Sequence, residues 1–196
     1  MVVSPSTQVN EGHDVHIHCL ATDGNPNPHL MSLIRDTDEV LAEEEGSELQ
    51  YDIRGINRSQ SGVYRCRATT RFYDGSEDFS EEKQNITVQF SPKIISQETE
   101  FEASIGETVP MSCKVDGFPI SSVSWFAQNG SLILGDEENM DITNEATDGE
   151  IMVTSTLTVT VADESYYGTY TCKATNNIEP DGELSFGIVI RLGSGS

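Results

Sequence analysis

Basic side chains are scarce: 11 lysines and arginines face 33 aspartates and glutamates in 196 residues, for a formal net charge of -22. Such a deficit argues against binding nucleic acid or an anionic membrane, both of which demand a cationic surface. Long apolar runs are also missing. No stretch is long enough to span a bilayer, and the start does not read as a signal peptide. Met1 and Gly193-Ser194-Gly195-Ser196 read as the ends of an excised segment, so no membrane anchor is visible. Histidine is limited to His13, His16, His18 and His29, all near the start, and no motif pairs them with a nucleophile. Glycine-rich phosphate loops are absent as well. Catalysis and a bound cofactor are therefore not expected.

Metal binding has thin support. His16 and His18 lie two residues apart, so on a strand they share a face and could share zinc with a carboxylate, but no third ligand can be named. Asp36, Asp38 and Glu39, or Asp136, Glu137 and Glu138, offer oxygens to calcium without EF-hand spacing. These groups read as solvated surface, and no metal is assigned.

What is present is a repeat. Ser61-Gly62-Val63-Tyr64-Arg65-Cys66 has a diverged copy in Tyr167-Gly168-Thr169-Tyr170-Thr171-Cys172. Counting back from Cys172 reaches Ala162, Val159 and Leu157; the same offsets from Cys66 reach Ile56, Ile53 and Tyr51. Matching types at matching offsets indicate two copies of one unit. Upstream, Val15, Ile17 and Cys19 in one half and Val109, Met111 and Cys113 in the other alternate with a period of two, which predicts strands with one buried face. Trp125, the only tryptophan, follows Cys113 on a further strand with Val123.

A cysteine, a tryptophan and a closing Gly-x-Tyr-x-Cys resemble the immunoglobulin superfamily, in the intermediate or C2-like sets of cell-surface receptors, over nearly the whole chain. The resemblance implies an all-β fold: two tandem β-sandwiches over residues 1–91 and 92–192, with 193–196 a tail. Four cysteines allow three pairings, of which the repeat selects Cys19 with Cys66 and Cys113 with Cys172. Each bridge should contribute roughly 3 to 4 kcal/mol and places the protein in an oxidising, extracellular compartment. Three sequons, at Asn57, Asn85 and Asn129, fit that location.

The family further implies a tyrosine corner at Tyr64 and Tyr170 and a core tryptophan at Trp125. The first copy has no tryptophan; alignment puts Met31, Ser32 or Leu33 at that site, with Leu33 preferred. Gln60 and Tyr166 replace the aspartate usual before the glycine, so its ion pair with an arginine is not expected.

Along the chain, Val2 to Val9 reads as one strand interrupted by Pro5, and Thr70 to Glu82 as a loop with an Asp74-Gly75 turn. Asn129-Gly130 and Asp148-Gly149 read as further turns. That first loop carries Arg71, Phe72 and Tyr73, a basic and aromatic cluster of the kind favoured at interfaces. The resemblance implies protein recognition through the first domain's sheet of strands G, F and C, with Arg35 and Asp36 at its edge. Cell adhesion or self-recognition is expected, homophilic or with a related family member, as a weak homodimer. An immune-type receptor for a non-family ligand and a metal-dependent assembly module are the alternatives.

Overall fold

A computed structural model describes residues 1–96, 98–147, 151–178 and 182–193. The expected turn at Asp148-Gly149 and residues 194–196 of the tail lie outside the described residues. The chain folds as two compact units, Met1–Gln89 and Phe90–Ser196.

In the first unit, β1 (Val2–Ser4), β3 (Val15–Leu20) and β6 (Glu48–Ile53) form one sheet. The other contains β5 (Val40–Glu45), β4 (Leu30–Arg35), β7 (Gly62–Arg71) and β8 (Glu77–Ile94), with β2 (Gln8–Asn10) parallel to β8. The expected first strand is therefore two strands in two sheets. Pro5 has no N–H to continue the β1 ladder, and the chain leaves one sheet there to join the other. Alternate residues of β3, Val15, Ile17 and Cys19, are buried, as the period of two requires.

In the second unit, β13 (Met140–Thr147), β14 (Met152–Thr160) and β10 (Thr108–Phe118) are joined by residues 90–94 at the end of β8. The facing sheet runs β12 (Leu132–Ile133), β11 (Ser122–Phe126), β15 (Gly168–Thr175), β16 (Glu183–Leu192) and β9 (Glu100–Ala103). Cys19 is bonded to Cys66 and Cys113 to Cys172, one bridge inside each unit.

Equivalent positions show how the cores differ. Trp125 pairs with Cys172 across β11 and β15, is fully buried, and donates its indole N–H to Ser155 Oγ at 2.9 Å. Ser155 in turn lies opposite Cys113. In the first unit Leu33 pairs with Cys66, and Leu49 lies opposite Cys19. A buried Trp–Ser hydrogen-bonded pair in one unit is thus an apolar Leu–Leu pair in the other, and neither leaves a buried polar atom unpartnered at the site.

One expected correspondence shifts. Ile56 and Ala162 share an offset from their cysteines, but Ile56 is buried and Ala162 is exposed; Val161 takes the inner place. Gly12 N–H donates to Ile56 O just as Gly106 N–H donates to Val161 O. Gly55, at φ +58, supplies the left-handed turn that brings Ile56 inward one residue later.

Both tyrosine hydroxyls donate to a carbonyl four residues back, Tyr64 to Gln60 at 2.8 Å and Tyr170 to Tyr166 at 2.9 Å. Burial, reinforced by Tyr166, pushes the Tyr170 phenol from its ordinary 10.0 up to about 12. A folded pKa above the unfolded one means this contribution is complete below about pH 10 and lost as pH rises through about 12. The stability of the second unit should therefore fall steeply in that window, and Tyr170→Phe should flatten the dependence when stability is measured by denaturant titration at each pH.

Candidate partner-binding face

Alternation along β7 divides its side chains cleanly. Tyr64, Cys66 and Ala68 are buried, so Arg65, Arg67, Thr69 and Arg71 face outward. The register with β8 places Lys83, Glu81, Phe79 and Glu77 opposite them in that order. Arg67 bonds Glu81 at 2.7 Å, and its guanidinium carbon lies 4.6 Å above the centre of the Phe79 ring, within cation–π range. Arg71 bonds Glu77 at 2.6 Å, while Arg65 pairs with Asp38. Beneath this layer the outward-facing Ser32 and Ile34 of β4 are buried; Ser32 donates to Glu43 of β5 at 3.0 Å. Each arginine of β7 therefore already has an acidic partner, and the stems of these long side chains cover the strand below them.

The expected long loop from Thr70 to Glu82 is instead a tight hairpin, with β7 continuing to Arg71 and β8 starting at Glu77. The two strands project beyond the core, so residues 77–82 carry charge on both faces and show no apolar alternation. Phe72 N–H donates to Ser76 O, Gly75 N–H donates to Phe72 O, and Gly75 adopts φ +84. Ser76 donates both its hydroxyl and its N–H to Asp74, whose carboxyl they hold below the usual range. On this braced tip Phe72 is 39%, Tyr73 102% and Phe79 56% exposed. His29 approaches Glu77 from the preceding loop at 3.7 Å.

Arg35 and Asp36 do not join this cluster. Arg35 pairs with Tyr64, seven residues or roughly 23 Å along β7 from Arg71. Its guanidinium is turned inward and donates to the carbonyls of Ser59 and Ser61, occupying the region where the family's aspartate is missing. Asp36 turns toward the start of β7: its N–H donates to Val63 O, and its carboxylate fills the space where a side chain at Gly62 would begin. The hydrogen bonds of Arg35 are thus made within its own unit, apart from the cluster around Arg71.

Phe79, Arg65, Arg67 and Glu81 were not singled out in the sequence. The recoverable signal was the arginine spacing between Tyr64, Cys66 and Ala68. Asn85 is exposed on β8 opposite Val63, six residues or roughly 20 Å along the strand from Phe79. Asn57 caps the short 3-10 turn Arg58–Gln60 and accepts from Ser59 N–H, and Asn129 lies at the tip between β11 and β12. Among the described residues, no three His, Cys, Asp or Glu side chains converge as metal ligands. His16 and His18 do project outward, but His16 meets Asp52 and His18 meets Glu48 as separate pairs. Glu137 accepts the N–H groups of Leu134 and Gly135, which hold its carboxyl below the usual range.

The chain is similar to limbic system-associated membrane protein of Rattus norvegicus, 32% identical over 181 residues that cover 90% of this chain and 47% of that protein. It is also similar to neuronal growth regulator 1 of Gallus gallus, 33% identical over 182 residues, covering 90% and 46%. The chain therefore spans about half the length of the curated relatives it matches. Among solved structures, a chain of the complex of Dpr2 Ig1-Ig2 with DIP-Theta Ig1-Ig3 superposes with a TM-score of 0.65 at 24% identity, covering 93% of this chain and 60% of that one. Rst D1-D2 superposes at 0.64 with 17% identity, covering 95% and 94%. These likenesses establish the fold. No helix among the described residues is long and apolar enough to cross a membrane. A family model described as immunoglobulin domain matches residues 1–70 and 91–176, once in each unit, and the protein belongs to that family.

Proposed function

We propose that the chain is the recognition part of an extracellular adhesion protein and binds a second immunoglobulin-type chain, its own copy or a relative, through the outward face of β5, β4, β7 and β8. The observation that carries this reading is the group Phe72, Tyr73 and Phe79, exposed on a hydrogen-bonded hairpin and flanked by Arg67 and Arg71. Aromatic and arginine side chains on a preorganised support bury large areas at small entropic cost. The net charge of -22 would oppose self-association of a uniformly acidic surface. This face is locally balanced, because Arg65, Arg67 and Arg71 lie against Asp38, Glu81 and Glu77. A glycan on Asn85 would stand at the far end of the strand and leave the aromatic tip open. The relatives named above are a membrane protein and a neuronal growth regulator, and one structural neighbour is a complex between two immunoglobulin-type proteins.

Sedimentation velocity over a micromolar range tests the reading. A concentration-dependent dimer is expected, with Phe79→Ala or Tyr73→Ala weakening it about 30-fold if each is an anchor worth about 2 kcal/mol. A dimer unaffected by both substitutions, or a monomer that captures only a non-family ligand, would overturn it.

A further inference from the structure

Exposed sheet edges are usually protected by charge, since their free backbone groups invite pairing with another chain. Several edges here follow that rule: β5 ends in Glu43-Glu44-Glu45, β6 carries Glu48 and Asp52, β9 carries Glu100 and Glu102, and β13 carries Asp141 and Glu145. The uncharged edge strands include β1, β2 and β12, and of these only β12 directly follows a sequon in the chain. Among the described residues β12 pairs only with β11; it has no charged residue, and shows Leu132 at 50% and the following Leu134 at 70% exposure, with half-buried Phe126 opposite Leu132. Immediately before it, the hairpin tip holds Asn129-Gly130-Ser131, an exposed sequon closed by hydrogen bonds from Ala127 N–H to Ser131 O and from Gly130 N–H to Ala127 O, each 2.8 Å. Ser131 donates its N–H and its hydroxyl to Asn129 Oδ1 at 2.9 and 2.7 Å. The side-chain oxygen is therefore engaged while Nδ2 has no acceptor among the described residues. By contrast, Asn85 Nδ2 lies 3.4 Å from Thr87 Oγ1 in mid-strand, and Asn57 has no comparable apolar edge following it.

We propose that Asn129 carries an N-linked glycan whose first sugars cover the apolar β12 edge of the second unit. Leu132 and Leu134 follow Asn129 by three and five residues, so their Cα atoms lie within about 11 and 18 Å of its own. A flexible sugar chain attached at that tip reaches both. The donor is an oligosaccharide on a polyprenyl diphosphate. A bond forms between Asn129 Nδ2 and the anomeric carbon, and the carbon–oxygen bond to the diphosphate breaks. Its electron pair leaves on the diphosphate, and one amide proton is released. The glycan then takes the place that charge holds on β5, β6, β9 and β13: it blocks strand pairing sterically and keeps the leucines from a second chain.

The test uses the full chain secreted from a eukaryotic host and carrying Phe79→Ala and Tyr73→Ala, so that association through the first unit does not contribute. Mass spectrometry should find the Asn129 peptide with an attached hexosamine-containing glycan. Asn129→Gln and Ser131→Ala, which both abolish the sequon, should bind more apolar dye and gain mass with concentration. Adding Leu132→Ser with Leu134→Ser should reverse both changes. Enzymatic removal of the sugar from the folded protein should reproduce them without a mutation, with Trp125 fluorescence reporting that the second unit remains folded. An unmodified Asn129 peptide, or folded glycan-free protein whose dye binding and sedimentation match the glycosylated form, overturns the proposal.

Discussion

Trp125→Ala is expected to destabilise the second unit by about 3–5 kcal/mol, the range for removing a large buried aromatic side chain. Two losses combine. The indole leaves a cavity against the Cys113–Cys172 bridge, and Ser155, fully buried, loses the donor to its hydroxyl. An unpaired buried polar group alone costs about 1–3 kcal/mol. The first unit suggests how to separate the two terms, because Leu33 and Leu49 occupy the equivalent places without a hydrogen bond. Trp125→Leu should therefore be strongly destabilising by itself, and adding Ser155→Leu should recover part of the loss with a coupling of about 0.5–3 kcal/mol. Guanidinium unfolding followed by circular dichroism measures the cycle. Strict additivity would show that the Trp–Ser hydrogen bond and the Leu–Leu pair are not alternative solutions to one site.

Reduction of the disulfides is expected to cost a similar amount in each unit. The bridges close separations of 47 and 59 residues, for which the chain-entropy argument gives about 4 kcal/mol apiece. Since a domain has only about 5–15 kcal/mol of net stability, such a loss removes a large share of it. The first unit should lose its fold at lower denaturant, because a leucine fills the place of a tryptophan beside its bridge. Trp125 is the only tryptophan, so its fluorescence follows the second unit while far-ultraviolet circular dichroism follows both. In reductant, part of the circular dichroism signal should disappear before the tryptophan transition. Coincident transitions, or curves unchanged by reductant, would contradict this expectation.

These two results concern features that were legible in the sequence for a physical reason. A strand buried on one face must place apolar residues at every second position, and a bridge between sheets needs one cysteine on each, so Val15, Ile17 and Cys19 or Val109, Met111 and Cys113 announce themselves. Although the 12-residue spacing from Cys113 to Trp125, counted from Cys19, reaches Met31, Leu33 is preferred over Met31 and Ser32 for the tryptophan's place. Its pairing with Cys66 required the register.

The candidate site was only partly readable. Phe72 and Tyr73 stand out by type in an acidic chain, but nothing local shows that Glu77 to Glu82 continues a strand, because that segment has no buried face to impose a pattern. Phe79 entered the cluster only when the hairpin set it beside Thr69 and under Arg67. Arg35 and Asp36, near in kind to Arg71 and Asp38, proved to be at the other end of the face and engaged with backbone groups. Likewise the Asn129 sequon gains its significance from Leu132 and Leu134, whose exposure depends on β12 having a neighbour on one side only.

By itself, then, the sequence determined the repeat, the all-β class, the bridges and the alternation of buried positions, because each is a local pattern or a spacing that burial and covalent chemistry force on the chain. Only the tertiary structure decided which outward residues meet, which acids hold the arginines, and which strands lie at sheet edges, because strand register and sheet order join residues far apart in sequence and no local pattern encodes that pairing.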